Sequence, residues 1–259
     1  MEGVKKNVIQ PEQTLLETYI CKGCNQQVKQ KELIIPIGPH RGDKIIANYG
    51  CICEDIKLAE ETKHALYSLK RNRLIDNFNY YSLINNSLKQ ATIENYNPTS
   101  IELNEVKQKV LEYINSFDGE QNLLFTGNCG TGKSHLSTSI TKKLMEQGYK
   151  CLFLSLPKLL TKIKRTYNKG GGIEDELLDI IRQVDLLVID DIGSEQQTEW
   201  STSKLFEILD DRAGKATIYT TNLSSSELKK RVNERNFSRM MENTEVVVMN
   251  GADYRRRDF

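Results

Sequence analysis

The octet Gly127-Asn128-Cys129-Gly130-Thr131-Gly132-Lys133-Ser134 constrains this chain more than any other feature. It fits the pattern G-x-x-x-x-G-K-S, and its setting matters as much as its spelling. The apolar triplet Leu123-Leu124-Phe125 reads as a strand leading into it, and Ser134–Gln147 reads as a helix leading out, closed by Gly148. Glycines at these positions let the backbone wrap so that N–H groups point inward at phosphate oxygens, and the helix N-terminus adds partial positive charge. Gly127, Asn128, Gly130, Thr131 and Gly132 are thus candidate phosphate-binding residues. Lys133 can reach β- and γ-phosphates, and Ser134 can hold Mg²⁺.

A second element completes such a site. The run Leu186-Leu187-Val188-Ile189 ends in Asp190-Asp191. Two like charges at the end of a buried strand are costly unless a cation lies near. Asp190 is the candidate Mg²⁺ ligand, and Asp191 the candidate group to orient and deprotonate an attacking water. A third run, Ile218-Tyr219-Thr220-Thr221, ends in Asn222, which could contact a γ-phosphate or that water. The chain contains no N-K-x-D guanine-reading motif, so ATP is the expected nucleotide.

Short apolar runs at 122–126, 151–155, 185–190, 216–221 and 245–249 alternate with helical stretches. That pattern predicts an α/β fold with a five-stranded parallel sheet. A further helix is expected over 104–117. Residues 54–92 read as a polar helix. The Asn-, Ser- and Thr-rich stretch 85–100 reads as a linker or docking segment. The expected domains are 1–53, a helical segment and linker over 54–100, and 101–259.

Four of the six cysteines fall at Cys21, Cys24, Cys51 and Cys53. Two closely spaced pairs suit a tetrahedral, structural Zn²⁺ site, and so small a module would draw folding energy from the metal. Zinc is favoured, although spacing alone does not separate it from iron. His40, between the pairs, is a competing ligand.

The formal net charge is +1, from 36 Lys and Arg against 35 Asp and Glu, so any nucleic-acid contact must come from local patches. The stretch from Lys158 to Lys169, basic with one aromatic, is such a patch: cations serve phosphates and a ring serves bases. No apolar run approaches the ~20 residues needed to span a bilayer, so no membrane partner is expected. With no secretory signal discernible, a cytoplasmic location is the default.

The phosphate loop, Asp190-Asp191-Ile192-Gly193, Tyr219-Thr220-Thr221-Asn222, and the segments Glu234–Met240 and Gly251–Arg255 together resemble the AAA+ ATPases of the DnaC/DnaI/IstB group, over about residues 85–259. The resemblance implies an ATPase that binds the hexameric replicative DNA helicase through its N-terminal region and helps place it on single-stranded DNA. It implies that Arg239 is an arginine finger reaching a neighbouring subunit's ATP, with Arg235 as rival, and that Arg255 is a sensor contacting phosphate within its own subunit. A finger acting in trans requires self-assembly into a ring or spiral. Lys164 and Tyr167 match strand-facing positions of the group. Many AAA+ proteins carry Glu where Asp191 stands; the shorter side chain implies slow or partner-dependent turnover. Two other readings fit the same motifs: an IstB-like ATPase assisting a transposase, and a non-hydrolysing adaptor switched by ATP.

Overall fold

The computed structural model describes residues 13–166 and 172–254. Tyr167 and Arg255 lie outside the described residues. The chain divides into two compact units, residues 1–69 and 70–259.

In the first unit, β1 (Gln13–Ile20), β2 (Gln27–Ile34) and β3 (Lys44–Tyr49) form an antiparallel meander. The turn between β1 and β2 begins at Cys21, whose carbonyl accepts Asn25 N–H at 2.8 Å, with Asn25 at a φ of 57°. The strands bury little: Val28 is enclosed, while Leu15, Leu16, Ile20, Ile45 and Ile46 are exposed. A helix, α1 (Cys53–Tyr81), starts beside the last cysteines and ends in the second unit.

The second unit is a three-layer α/β structure. Its strands are β4 (Asn122–Thr126), β5 (Cys151–Ser155), β6 (Leu186–Asp190), β7 (Thr217–Thr220) and β8 (Thr244–Val248). All pairings are parallel, in the order β5-β6-β7-β4-β8. Successive side chains on a strand face opposite sides, which explains two separate cores. Leu123, Phe125, Phe153, Val188 and Ile218 face one side, beneath α2 (Ile101–Asn115) and α3 (Lys133–Glu146). Leu124, Leu152, Leu154, Leu187, Ile189 and Tyr219 face the other. There they meet α4 (Leu156–Thr166), α5 (Gly172–Gln183), α6 (Glu199–Asp211), α7 (Ser225–Val232) and α8 (Glu234–Met241). A sheet covered on both faces accounts for strands that read as continuous apolar runs.

Local chemistry fixes the helix starts. Ser100 caps α2 by accepting Leu103 N–H, and Thr198/Ser201 and Ser224/Glu227 form capping boxes on α6 and α7. Each such cap contributes about 1 kcal/mol. Among the described residues, no helix is long and apolar enough to cross a membrane.

The stretch 85–100 is not a free linker. Ala91, Ile93 and Tyr96 are buried, the latter two in the core above the sheet. Lys142 of α3 donates to the carbonyls of Lys89 and Ala91 at 2.6 and 2.9 Å, and His135 Nε2 donates to Thr92 O at 2.9 Å. Its backbone is therefore held by side chains of the helix that follows the phosphate loop.

Candidate nucleotide site

Because β7 lies between β4 and β6, the C-terminal ends of three neighbouring strands open on one edge, where α/β sheets place their ligands. A cavity of about 450 Å³ opens there, lined by Gly130, Lys133, Ser134, Asp190, Asp191 and Asn222 among others.

The loop between β4 and α3 takes its shape from glycines with positive φ: 130° at Gly127, 75° at Gly130 and 95° at Gly132. At each, a Cβ would also collide with a neighbour. It would lie 2.3 Å from Met249 O at Gly127, 1.7 Å from Asp253 Oδ1 at Gly130, and 2.4 Å from Tyr96 Cε2 at Gly132. The octet's spacing therefore encodes both backbone conformation and the close approach of two distant segments. One is residues 251–254, where Tyr254 N–H donates to Gly130 O at 3.1 Å and Asn128 Nδ2 to Gly251 O at 3.5 Å. The other is Tyr96, whose hydroxyl donates to Thr131 O at 3.0 Å. The Lys133 ammonium, 6% exposed, donates to the carbonyls of Gly127 and Asn128 at 2.8 and 2.6 Å. It is thus held at the mouth of the loop, beside the N-terminus of α3, an anion-attracting position.

Across the cavity, Asp190 is 3% exposed. Burial pushes its carboxyl above the ordinary value; hydrogen bonds from Thr220 and Ser134 oppose that rise, the Asp191 charge adds to it, and Lys133 counters it. Thr220 Oγ1 donates to Asp190 Oδ1 at 2.7 Å and accepts Asp191 N–H at 2.9 Å. Asp191 adopts a φ of 60°, and its carbonyl accepts from Ser194 Oγ at 2.6 Å. A buried carboxylate beside a serine hydroxyl, with a second carboxylate next to it, is a donor set that fits a hard divalent cation such as Mg²⁺. Asn222 is exposed on the same cavity. The sequence singled out Asn222 in its triplet, yet it is Thr220 that touches the acidic residue.

Two signals escaped the sequence reading. Tyr96, the tyrosine of an Asn-rich stretch just before a proline, forms part of the cavity wall with Asn95 and Asn97. Arg231, one of many surface-like cations, donates to the carbonyls of Gly193 and Glu195 in the turn beyond Asp191.

Arg239 lies outside this cavity, on α8, paired with Asp210 at 2.9 Å and Glu242 at 3.5 Å. Its rival Arg235 stacks over the Phe206 ring at 3.7 Å. The Lys164 ammonium sits 4.7 Å from the ring centre of Trp200, an aromatic the sequence reading did not pair with it.

In the first unit, the ligand atoms of Cys21, Cys24, Cys51 and Cys53 all lie within 4.8 Å of one another. His40 is not in this group; it pairs with Asp43 at 3.1 Å at the tip of the β2–β3 connection. The thiols perturb one another. Contact with Cys51, aided by the N–H groups of Gly23 and Cys24, lowers Cys21 to about 7; contact with Cys51, Cys24 and Cys21 raises Cys53 to about 12. Four sulfurs this close are compatible with tetrahedral Zn²⁺, for which Zn–S is about 2.3 Å.

Comparison with known proteins agrees with this geometry. A family model described as IstB-like ATP binding protein matches residues 64–258. The replicative helicase loader DnaC of Escherichia coli (strain K12) is 33% identical over 149 residues, covering 56% of this chain and 61% of that protein. The insertion sequence IS1162 putative ATP-binding protein of Pseudomonas fluorescens is 37% identical over 106 residues, covering 40% of this chain and 45% of that protein. A crystal structure of the DnaC helicase loader superposes with a TM-score of 0.59 at 26% identity, over 64% of this chain and 99% of that chain. The chain therefore spans 61% and 45% of the length of these two curated relatives. With the matched family model covering most of the chain and the nucleotide loop in place within it, this protein belongs to the IstB-like ATP-binding family, in the DnaC/IstB-like group of AAA+ proteins.

Proposed function

We propose that the chain is an ATP-dependent loader that binds a replicative DNA helicase and helps place it on single-stranded DNA. One observation carries the reading: a single cavity collects the phosphate loop, the acidic pair and Asn222 in a chain 33% identical to a helicase loader. In this reading the loop N–H groups and Lys133 hold the triphosphate. Ser134 and Asp190 would hold Mg²⁺, which when bound neutralises phosphate charge and favours displacement at the γ-phosphorus. Asp191 takes the proton of the attacking water, and Asn222 orients that water. Arg239, exposed and outside its own cavity, serves a neighbouring subunit's nucleotide in a ring or spiral, and Arg255 serves its own.

The cysteine unit is assigned to helicase docking. Cys21, Cys24, Cys51 and Cys53 would hold Zn²⁺, which when bound crosslinks the β1–β2 turn to the segment leaving β3 in a sheet that buries almost no core. Lys164, with Tyr167, contributes to single-strand binding; the Lys164–Trp200 pair supports this by joining a cation to a partly buried aromatic. Such a loader acts in the cytoplasm.

The insertion-sequence relative favours a second reading, an ATPase assisting a transposase. Co-purification decides between them. The loader reading expects ATP-dependent co-elution with the cognate replicative helicase and none with a transposase; the reverse pattern would overturn it.

A further inference from the structure

Arg231 stands in the last turn of α7, half-buried, with its guanidinium on the turn that follows Asp190. Its Nε donates to Gly193 O at 2.9 Å and its Nη2 to Glu195 O at 2.6 Å. That turn needs holding. Asp191 sits at a φ of 60°, a region that residues with a Cβ seldom enter unless their surroundings enforce it. Gly193 has a φ of 88°, and a Cβ there would lie 2.6 Å from Leu223 Cδ1 and 3.3 Å from Arg231 Cγ. The Glu195 carboxylate, 9% exposed, accepts Gly193 N–H at 2.8 Å. The turn is therefore gripped from inside by Glu195 and from α7 by Arg231.

The other end of α7 begins at the N-cap Ser224, two residues after Asn222. Thr220, two residues before Asn222, uses its hydroxyl twice, donating to Asp190 Oδ1 and accepting the Asp191 N–H. Arg231 thus closes a ring of connected parts: the acidic turn, α7, Asn222 and Thr220. A planar guanidinium making two hydrogen bonds to carbonyls of one turn fixes orientation as well as distance. A lysine ammonium donates from a single point and lacks that fixed plane, so it restores the tether only in part.

We propose that Arg231 is a positioning residue, which sets Asp191 against Asn222 by tying the acidic turn to α7. It contacts neither loop nor cavity, so its effect falls on the chemical step and not on nucleotide affinity. The inference rests on the hydrolytic reading of the site, and its test separates the two.

The full chain is compared with its Arg231→Met and Arg231→Lys variants, with ATP and Mg²⁺, with and without single-stranded DNA. Methionine keeps the length of the stem and removes both donors. The expected result is a fall in kcat of about tenfold or more for Arg231→Met, a KM and ATP affinity within about twofold of the parent, and partial recovery in Arg231→Lys; a misplaced catalytic group costs rates of this order. An unchanged kcat, or loss of affinity alongside kcat, would overturn the proposal. Hydrogen exchange supplies a readout free of turnover. Residues 191–195 should exchange about tenfold faster in Arg231→Met, with residues 127–134 unchanged. If the parent chain hydrolyses nothing, the hydrolytic reading fails, and exchange alone decides the tether: unaltered protection of 191–195 refutes it. Should Arg231→Met fail to fold, Arg231→Lys carries the same measurements.

Discussion

At the end of β6 Asp190 is 3% exposed, and burial raises its pKa above the ordinary carboxylate value. The folded chain therefore holds this proton more tightly than the unfolded chain. Stability from this group is present at low pH and is lost as pH rises through the raised folded value. Asp190→Asn removes that loss. In the absence of nucleotide it should raise the melting temperature at pH 7, with the gain fading as pH falls below about 3, where the carboxyl is protonated in both states. The same variant should lose Mg²⁺-dependent nucleotide binding. A thermal melt across pH checks the first part, and a lower melting temperature at pH 7 contradicts it. Gly132→Ala is the complementary residue-scale case. Its Cβ would meet Tyr96 at 2.4 Å at a φ of 95°, so ATP affinity should fall at least tenfold while Gly148→Ala, with open space around it, changes it little. Equilibrium titration of both variants measures this. The glycines were legible in sequence because their conformations are encoded one residue at a time. Thr220 was not, because its value lies in a hydroxyl that reaches across to a neighbouring strand. Nor could spacing show that the four thiols meet; the β1–β2–β3 register brings both cysteine pairs to one end of the meander, and His40 lies outside that cluster.

Elements were legible where burial is two-sided. The runs expected at 122–126 and 151–155 match β4 and β5, and the bounds of the remaining three strands differ by at most one residue, because a strand covered on both faces must be apolar throughout. The packing of residues 85–100 was not legible for the opposite reason. Their apolar side chains are few and without period, and the segment is held by long-range hydrogen bonds from Lys142 and His135. The edge opposite the cavity shows a similar device. Arg212, 3% exposed, donates its guanidinium to the carbonyls of Ile181, Val184, Asp185 and Ala216, joining the end of α5 to the starts of β6 and β7. Burial pulls it down to about 10, so it remains charged at neutral pH. Arg212→Met leaves these carbonyls short of donors and should destabilise the second unit by about 3 kcal/mol. Urea unfolding measures this, and a loss below ~0.5 kcal/mol would show that water replaces the guanidinium at no cost.

For the whole molecule, the division into 1–69 and 70–259 predicts two separable responses. The first unit has exposed strands and four clustered thiols, and the second has two full cores. Elemental analysis should find about one zinc per chain. A zinc-selective chelator should abolish the β-sheet signal and protection of residues 13–49, and leave ATP binding with Mg²⁺ within about twofold. Loss of both functions together would mean that the units do not fold independently. Every functional proposal depends on a triphosphate seated between Lys133 and the acidic pair. Calorimetric titration of Mg²⁺-ATP into the parent chain and into Lys133→Ala measures that seat most directly. One site per chain is expected, weakened about a hundredfold or more in Lys133→Ala, since a charge-assisted phosphate contact is worth about 3 kcal/mol. Equal affinity in the two chains would contradict it.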